Sequence, residues 1–241
     1  MRTVARADAD LPDIFNQRIQ LAKNEWKWGH LNNNALIFLC CLAKAGFSPI
    51  LEFGTFTGRT AYNLALNAAT KVYTVDIGRN VDACSNAAGV TYPEYIPGEL
   101  FLDDPELGDK IELIVGDSMT LDFSRFYGAM GMVIVDGGHS YEVAKSDTKN
   151  ALRLVRPGGI VVWDDYGDFW PGVKSAVDEL IDPDKLIRFE NESIVMYVKL
   201  CRSHITNLPA APRGPLDQQL CVNSGSVTPP DRQSRSRFTR T

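Results

Sequence analysis

The sequence predicts an α/β fold, a doubly wound and mostly parallel seven-stranded sheet that ends in an antiparallel C-terminal hairpin. Three observations predict it. From Ser48 onward, short apolar or β-branched runs alternate with helical stretches; the runs are nearly continuous in hydrophobicity, as strands covered on both faces must be; and the last two runs are too close together for a crossover.

The elements follow in order. Residues 11–30 and 32–45 are expected to form two helices of an N-terminal cap over residues 1–47, the second carrying ALIFLCCLA behind the capping cluster Asn32-Asn33-Asn34. PILEFG is the first strand, RTAYNLALNAAT its helix and KVYTVDIG the second strand, followed by a polar region near 80–104. IELIVGDS, the stretch SRFYGAM, GMVIVDGG, the helix YEVAKSDTKNALRLV and the strand GGIVVWDDY continue the alternation, and right-handed crossovers make the strands parallel. The helix GVKSAVDELI precedes KLIRFEN and SIVMYVKL, two runs linked tightly enough for a hairpin. The main domain is therefore set at 48–200. From Cys201 the chain holds five of the thirteen prolines, many serines and one aromatic, so 201–241 is expected to be a disordered basic tail.

Charge and cysteine usage narrow the partners. The net charge is −5, but the tail carries six arginines against Asp217 and Asp231, leaving the first 200 residues near −9. An acidic body of this kind is a poor match for a nucleic acid. The N-terminus lacks the apolar core of a signal peptide and the longest apolar run, Ala35 to Ala43, cannot span a bilayer, which predicts a soluble cytoplasmic protein with no membrane partner. Five cysteines without CxxC spacing indicate neither a disulfide framework nor a zinc site; Cys40 and Cys41 are expected as buried small hydrophobes.

The segment from Ile50 to Thr60 runs from a strand through a glycine turn into a helix, and in such sheets ligands bind at the carboxyl ends of the strands. Its glycines, Gly54 and Gly58, enclose three residues and are followed by Arg59, so it is not a P-loop; Phe56 rules out GxGxxG. Glu52 at the strand's end would repel a pyrophosphate and favour an ammonium or sulfonium, and S-adenosylmethionine carries both cations and no phosphate. A plain strand-to-helix turn would also need Gly54 and Gly58, for backbone shape alone. Asp76 ends the second strand 22 residues after Gly54, near the offset of a ribose-binding acid. Gly116-Asp117-Ser118 puts a carboxylate where an adenine amino group could donate to it, although the same tripeptide is an ordinary turn.

Together, E-x-G-x-x-x-G at 52–58, Asp76, Gly116-Asp117-Ser118 and VRPGGIVVWDDY at 155–166 resemble the class I S-adenosylmethionine-dependent methyltransferases. DGGHSYEVAKSDTKNALRLVRPGG resembles their small-molecule and sugar O-methyltransferase branch and, more distantly, the catechol O-methyltransferases. The resemblance covers about residues 48–200. It implies a Rossmann-like fold, S-adenosylmethionine as cofactor, and a site in which Glu52, Gly54, Thr55, Gly58, Asp76, Asp117, Ser118 and Asp136 bind it.

Asp136 ends one strand and Asp164-Asp165 another; neighbouring strands lie about 4.8 Å apart, so three carboxylates open into one crevice. Close carboxylates repel unless protonated or bridged by a cation, and hard oxygen donors favour magnesium or calcium. In the resembling metal-dependent enzymes, acids after these two strands hold a divalent ion, which implies Asp136, Asp164 and Asp165 as ligands, with magnesium expected. The alternative is that Asp136 meets cofactor or water and the Asp pair caps a loop. His139 stands three residues after Asp136, where the catechol branch has a lysine base, while Gly138 stands where some sugar-modifying relatives have an aspartate; His139 is thus the candidate for the acceptor proton, or else a residue that orients Asp136. Glu142 and Asp147 are assigned to helix surface and Tyr141 to packing. Trp26, Trp28, Trp163, Tyr166, Phe169 and Trp170 offer either an acceptor wall or core packing.

The expected activity is methyl transfer to an oxygen of a small-molecule acceptor, by a protein that can form a homo-oligomer. The alternatives are a metal-independent N- or C-methyltransferase and a non-catalytic S-adenosylmethionine or nucleotide sensor. A hydroxylase would need a His-x-Asp facial triad, which is not visible.

Overall fold

A computed structural model describes residues 2–4, 16–23, 25–27, 29–78, 95–190 and 192–200. All lie in the compact unit Met1–His204; the tail expected over 201–241 is outside the described residues. In chain order the elements are β1 (Arg2–Val4), α1 (Asn33–Lys44), β2 (Ile50–Phe53), α2 (Arg59–Asn67), β3 (Val72–Asp76), β4 (Ile111–Val115), β5 (Met130–Val135), α3 (Tyr141–Leu154), β6 (Val155–Trp163), α4 (Pro171–Leu180), β7 (Ile187–Phe189) and β8 (Val195–Val198).

The sheet runs β1-β7-β8-β6-β5-β2-β3-β4. From β6 to β4 every pairing is parallel, with Glu52 level with Thr74 on one side and Ile134 on the other. β8 is antiparallel to both β6 and β7, as the short link between the last two runs requires. Seven of these strands were expected; the eighth, Arg2–Val4, adds to the outer edge of β7. The strand order reverses at β2 and β5, which is the switch point where a crevice opens.

Alternation along the strands sorts the core into two layers. Ile50, Met132, Ile134, Ile160 and Val162 face α1 and α2, while Leu51, Phe53, Val133, Val135, Val161 and Trp163 face α3 and α4. α1 begins where Asn32 accepts a hydrogen bond from the Ala35 N–H at 2.9 Å, and its apolar run buries Leu36, Leu39 and Leu42 completely or nearly so, worth about 1.5–3 kcal/mol each. Cys40 and Cys41 are buried and unbridged.

The helix expected over 11–30 is not formed in its described part: apart from Asn16, residues 16–23, 25–27 and 29–30 carry no helix. Asparagines of α2 take the place of its own hydrogen bonds. Asn67 Oδ1 accepts from the Gln20 N–H at 2.8 Å, Asn67 Nδ2 donates back to the Gln20 carbonyl at 2.7 Å, and Asn63 Oδ1 accepts from the Ala22 N–H at 2.9 Å. Backbone groups satisfied in this way have nothing to gain from coiling a polar segment. Among the described residues, no helix is long and apolar enough to cross a membrane.

Candidate functional site

The carboxyl ends of the parallel strands open into a cavity of about 400 Å³, within the size range of small-molecule sites. Its middle is the glycine turn. After Phe53 the chain passes through Gly54 at φ 93°, Phe56 at φ 48° and Gly58 at φ 88° into α2. The Gly54 N–H donates to the Val75 carbonyl and the Asp136 N–H to the Phe53 carbonyl, each at 2.9 Å, so the turn is clamped between the ends of β3 and β5.

Asp76, Gly54, Asp117, Ser118, Asp136, His139, Asp164 and Asp165 all line this cavity, whereas Glu52, Thr55 and Gly58 do not. Asp76 also organises the turn: one oxygen accepts from the N–H groups of Thr55 (3.2 Å) and Phe56 (2.9 Å), the other from the Gly78 N–H (2.9 Å) and the Tyr95 hydroxyl (3.2 Å). Gly58 is glycine because a Cβ there would meet the Phe101 ring at 2.5 Å.

Glu52 is 1% exposed, beneath the turn and away from the cavity. Thr74 Oγ1 donates to its Oε2 at 2.6 Å, which leaves Thr55 Oγ1 to donate to Thr74 at 2.7 Å. Burial pushes its carboxyl up to about 8, against the Thr74 hydrogen bond and with help from Asp76. A pKa raised on folding stabilises the protein fully below the unfolded value near 4.5, and that contribution is lost as pH rises towards 8. Glu52→Gln should therefore melt close to wild type at pH 5 and progressively above it between pH 5 and 8. A pH-independent gap in melting temperature would refute the neutral acid.

At the β5 and β6 ends, Asp136, Asp164 and Asp165 each offer an oxygen, all within 4.8 Å of one another. Burial first, then Asp164, Asp165 and Glu52, holds the Asp136 carboxyl well above the usual range. Burial and Asp165 push Asp164 up to about 6, although the Ser193 hydroxyl donates to it. Asp165 adopts φ 58°, a left-handed backbone costly outside glycine that turns its side chain beside Asp164. His139 Nε2 meets Asp165 Oδ2 at 2.7 Å, and its ring stacks on Trp170 at 4.0 Å and 12°. The histidine is thus bound to Asp165, not to Asp136.

The aromatic candidates divide. Trp163 and Tyr166 belong to the core, with Trp163 Nε1 donating to Thr148 Oγ1 at 2.9 Å and the Tyr166 hydroxyl to Asp178 at 2.5 Å. Trp26, Phe169 and Trp170 line the cavity; the side chain of Trp28 is outside the described residues.

Three wall residues escaped the sequence reading of the site. Tyr95 lies in what reads as a polar loop. His30 receives the Lys27 N–H on Nδ1 at 3.0 Å, so Nε2 carries the hydrogen and donates to Thr57 Oγ1 at 2.7 Å, fixing the N-terminal segment on the glycine turn. Burial, Arg59 and Lys27 push this imidazole down to about 4, so it is neutral. Asp147, assigned from the sequence to helix surface, is instead 1% exposed and lines the cavity. The signal was present, because Asp147 falls at helical spacing between the buried Ala144 and Ala151.

A doubly wound sheet with a ligand-sized crevice at its switch point, floored by a glycine turn and carrying acids on three strand ends, defines a nucleoside-cofactor enzyme of the class I methyltransferase type. The family model of a methyltransferase domain matches residues 51–166, and the chain carries a methyltransferase domain there. No curated protein matches the chain in sequence. Among solved structures, the O-methyltransferase NovP is 16% identical, with 69% of this chain and 80% of that one covered at TM-score 0.56. The O-methyltransferase from Bacillus cereus in complex with SAH is 16% identical, with 72% and 84% covered at 0.53. Cofactor-bound Rv0187 from MTB is 19% identical, with 73% and 84% covered at 0.52. At these identities the likeness is one of fold.

Proposed function

We propose that the protein methylates a hydroxyl oxygen of a small molecule with the help of a divalent cation held by Asp136, Asp164 and Asp165. The observation that carries this reading is the convergence of three carboxylate oxygens within 4.8 Å on the wall of the cofactor cavity. Left alone, Asp164 and Asp165 raise the pKa of Asp136, and Asp165 raises that of Asp164; a hard cation relieves that repulsion, and three oxygen donors leave coordination positions for an acceptor hydroxyl. The O-methyltransferase neighbours are consistent with oxygen as the methylated atom.

When bound, S-adenosylmethionine supplies an electrophilic methyl group, and a divalent ion at these acids would make an acceptor hydroxyl more acidic. The protein's own residues do the rest. The clamped glycine turn holds the cofactor's place, while Trp26, Phe169 and Trp170 flank the acceptor side. Asp165 holds the Nε2 hydrogen of His139, which leaves Nδ1 as the atom that takes the acceptor proton. Trp170 keeps the ring in that plane.

The cation can be tested without knowing the acceptor. Mn²⁺ titrated into the full chain and followed by electron paramagnetic resonance should show one saturable site, weakened about tenfold or more in Asp164→Asn and Asp165→Asn. Absence of a saturable site in the wild type, or one indifferent to both substitutions, would remove the metal from the reading.

A further inference from the structure

Two cavity acids, Asp117 and Asp147, belong neither to the cation cluster nor to the glycine turn, and of these Asp147 is the buried one. It projects from the buried face of α3, 1% exposed. Among the described residues no donor reaches its buried Oδ1. The Ser118 side chain approaches the same carboxyl, which burial nevertheless pushes up to about 7. An acceptor left unpaired inside a protein is destabilising, so a ligand that brings a donor to it gains selectively.

The surroundings say which part of a ligand that is. Asp147 shares its stretch of cavity wall with Gly116, Ser118, Gly137, Gly138 and Val143. A Cβ on Gly137 would stand 3.2 Å from Asp147 Oδ2, and one on Gly138 would stand 2.9 Å from the Val143 side chain, so the two glycines put bare backbone beside the acid. This wall belongs to β5, α3 and the loop after β4. The cation cluster, where the methyl must be delivered, faces the β6 side of the cavity, and the glycine turn lies between. With the methyl at the acids and the amino-acid portion at the turn, the nucleobase is left for the β4 side. There its 6-amino group is the donor that can reach a carboxyl.

The sequence expectation placed Asp117 in that role, but Asp117 is exposed and its Oδ1 already accepts from the Met119 N–H at 2.8 Å. We infer that Asp147, not Asp117, is the carboxyl that accepts a hydrogen bond from the 6-amino group of the cofactor's adenine, and so the residue that selects adenine over other purines. This assignment rests on the S-adenosylmethionine reading of the cavity.

The test compares two ligands by calorimetry, S-adenosylhomocysteine and its 6-deamino analogue, in which hydrogen replaces the amino group. The wild-type chain should prefer S-adenosylhomocysteine by about tenfold or more. Asp147→Ala should lower its affinity to that of the analogue while leaving the analogue's affinity unchanged, the non-additivity expected of a direct contact. Equal binding of the two ligands by the wild type overturns the assignment without recourse to a variant. So does an Asp147→Ala protein that loses both affinities by the same factor, since that is how a purely structural acid behaves. A wild type that binds neither ligand overturns the cofactor reading itself.

Discussion

Gly54→Ala is expected to abolish S-adenosylhomocysteine binding and to lower the melting temperature by several degrees. A Cβ at this position would stand 1.9 Å from the Asp136 carbonyl oxygen, 2.6 Å from its carbon and 3.0 Å from the Gly137 Cα. These are backbone atoms inside a clamp of two hydrogen bonds, so no side chain can rotate out of the way. The added φ 93° strain for a non-glycine residue is about 1–2 kcal/mol. Relief of the clash moves Asp136 and Gly137 away from the turn, which disturbs the carboxylate cluster and the wall beside Asp147 together. The space a side chain at position 54 would take is filled by the protein's own Asp136 backbone. Calorimetry with S-adenosylhomocysteine checks the result; a Gly54→Ala protein that binds at wild-type affinity would show that the turn can give way at β5 without cost to the site.

Exhaustive chelation with EDTA is expected to abolish methyl transfer while leaving S-adenosylhomocysteine affinity within about twofold, and added Mg²⁺ should restore the rate. The size of the loss follows from what a cation at these acids would do: several kcal/mol of charge stabilisation at the developing alkoxide is a few powers of ten in rate. Affinity for S-adenosylhomocysteine stays because the glycine turn, Asp76 and the Asp147 wall are built from protein hydrogen bonds and packing. A panel of hydroxylated small molecules, assayed by transfer of labelled methyl, provides the acceptor. Turnover undiminished by chelation would leave His139 to handle the acceptor proton unaided and would assign the carboxylate cluster to another role.

Much of this protein was legible one residue at a time. The strands from Ile50 to Trp163 are short apolar runs whose only stable home is a sheet covered on both faces, and the tight link before Ser193 permits only an antiparallel return. Asp136 and the Asp164-Asp165 pair could be placed together because neighbouring parallel strands deliver their ends to one crevice. The N-terminal segment was not legible in this way, since its hydrogen bonds are supplied by Asn63 and Asn67, more than forty positions away.

By itself the sequence determined seven of the sheet's strands, the crevice and the three acids that meet there, because periodicity and strand ends are local properties carried by each element. Tertiary structure alone decided which polar groups face ligand and which face protein. It turned Glu52 under the floor as a neutral acid, spent Asp76 partly on the glycine turn, tied His139 to Asp165, and aimed Asp147 into the cavity. Those outcomes depend on burial and on partners brought together from distant elements, and desolvation and hydrogen bonding exist only once the chain has packed.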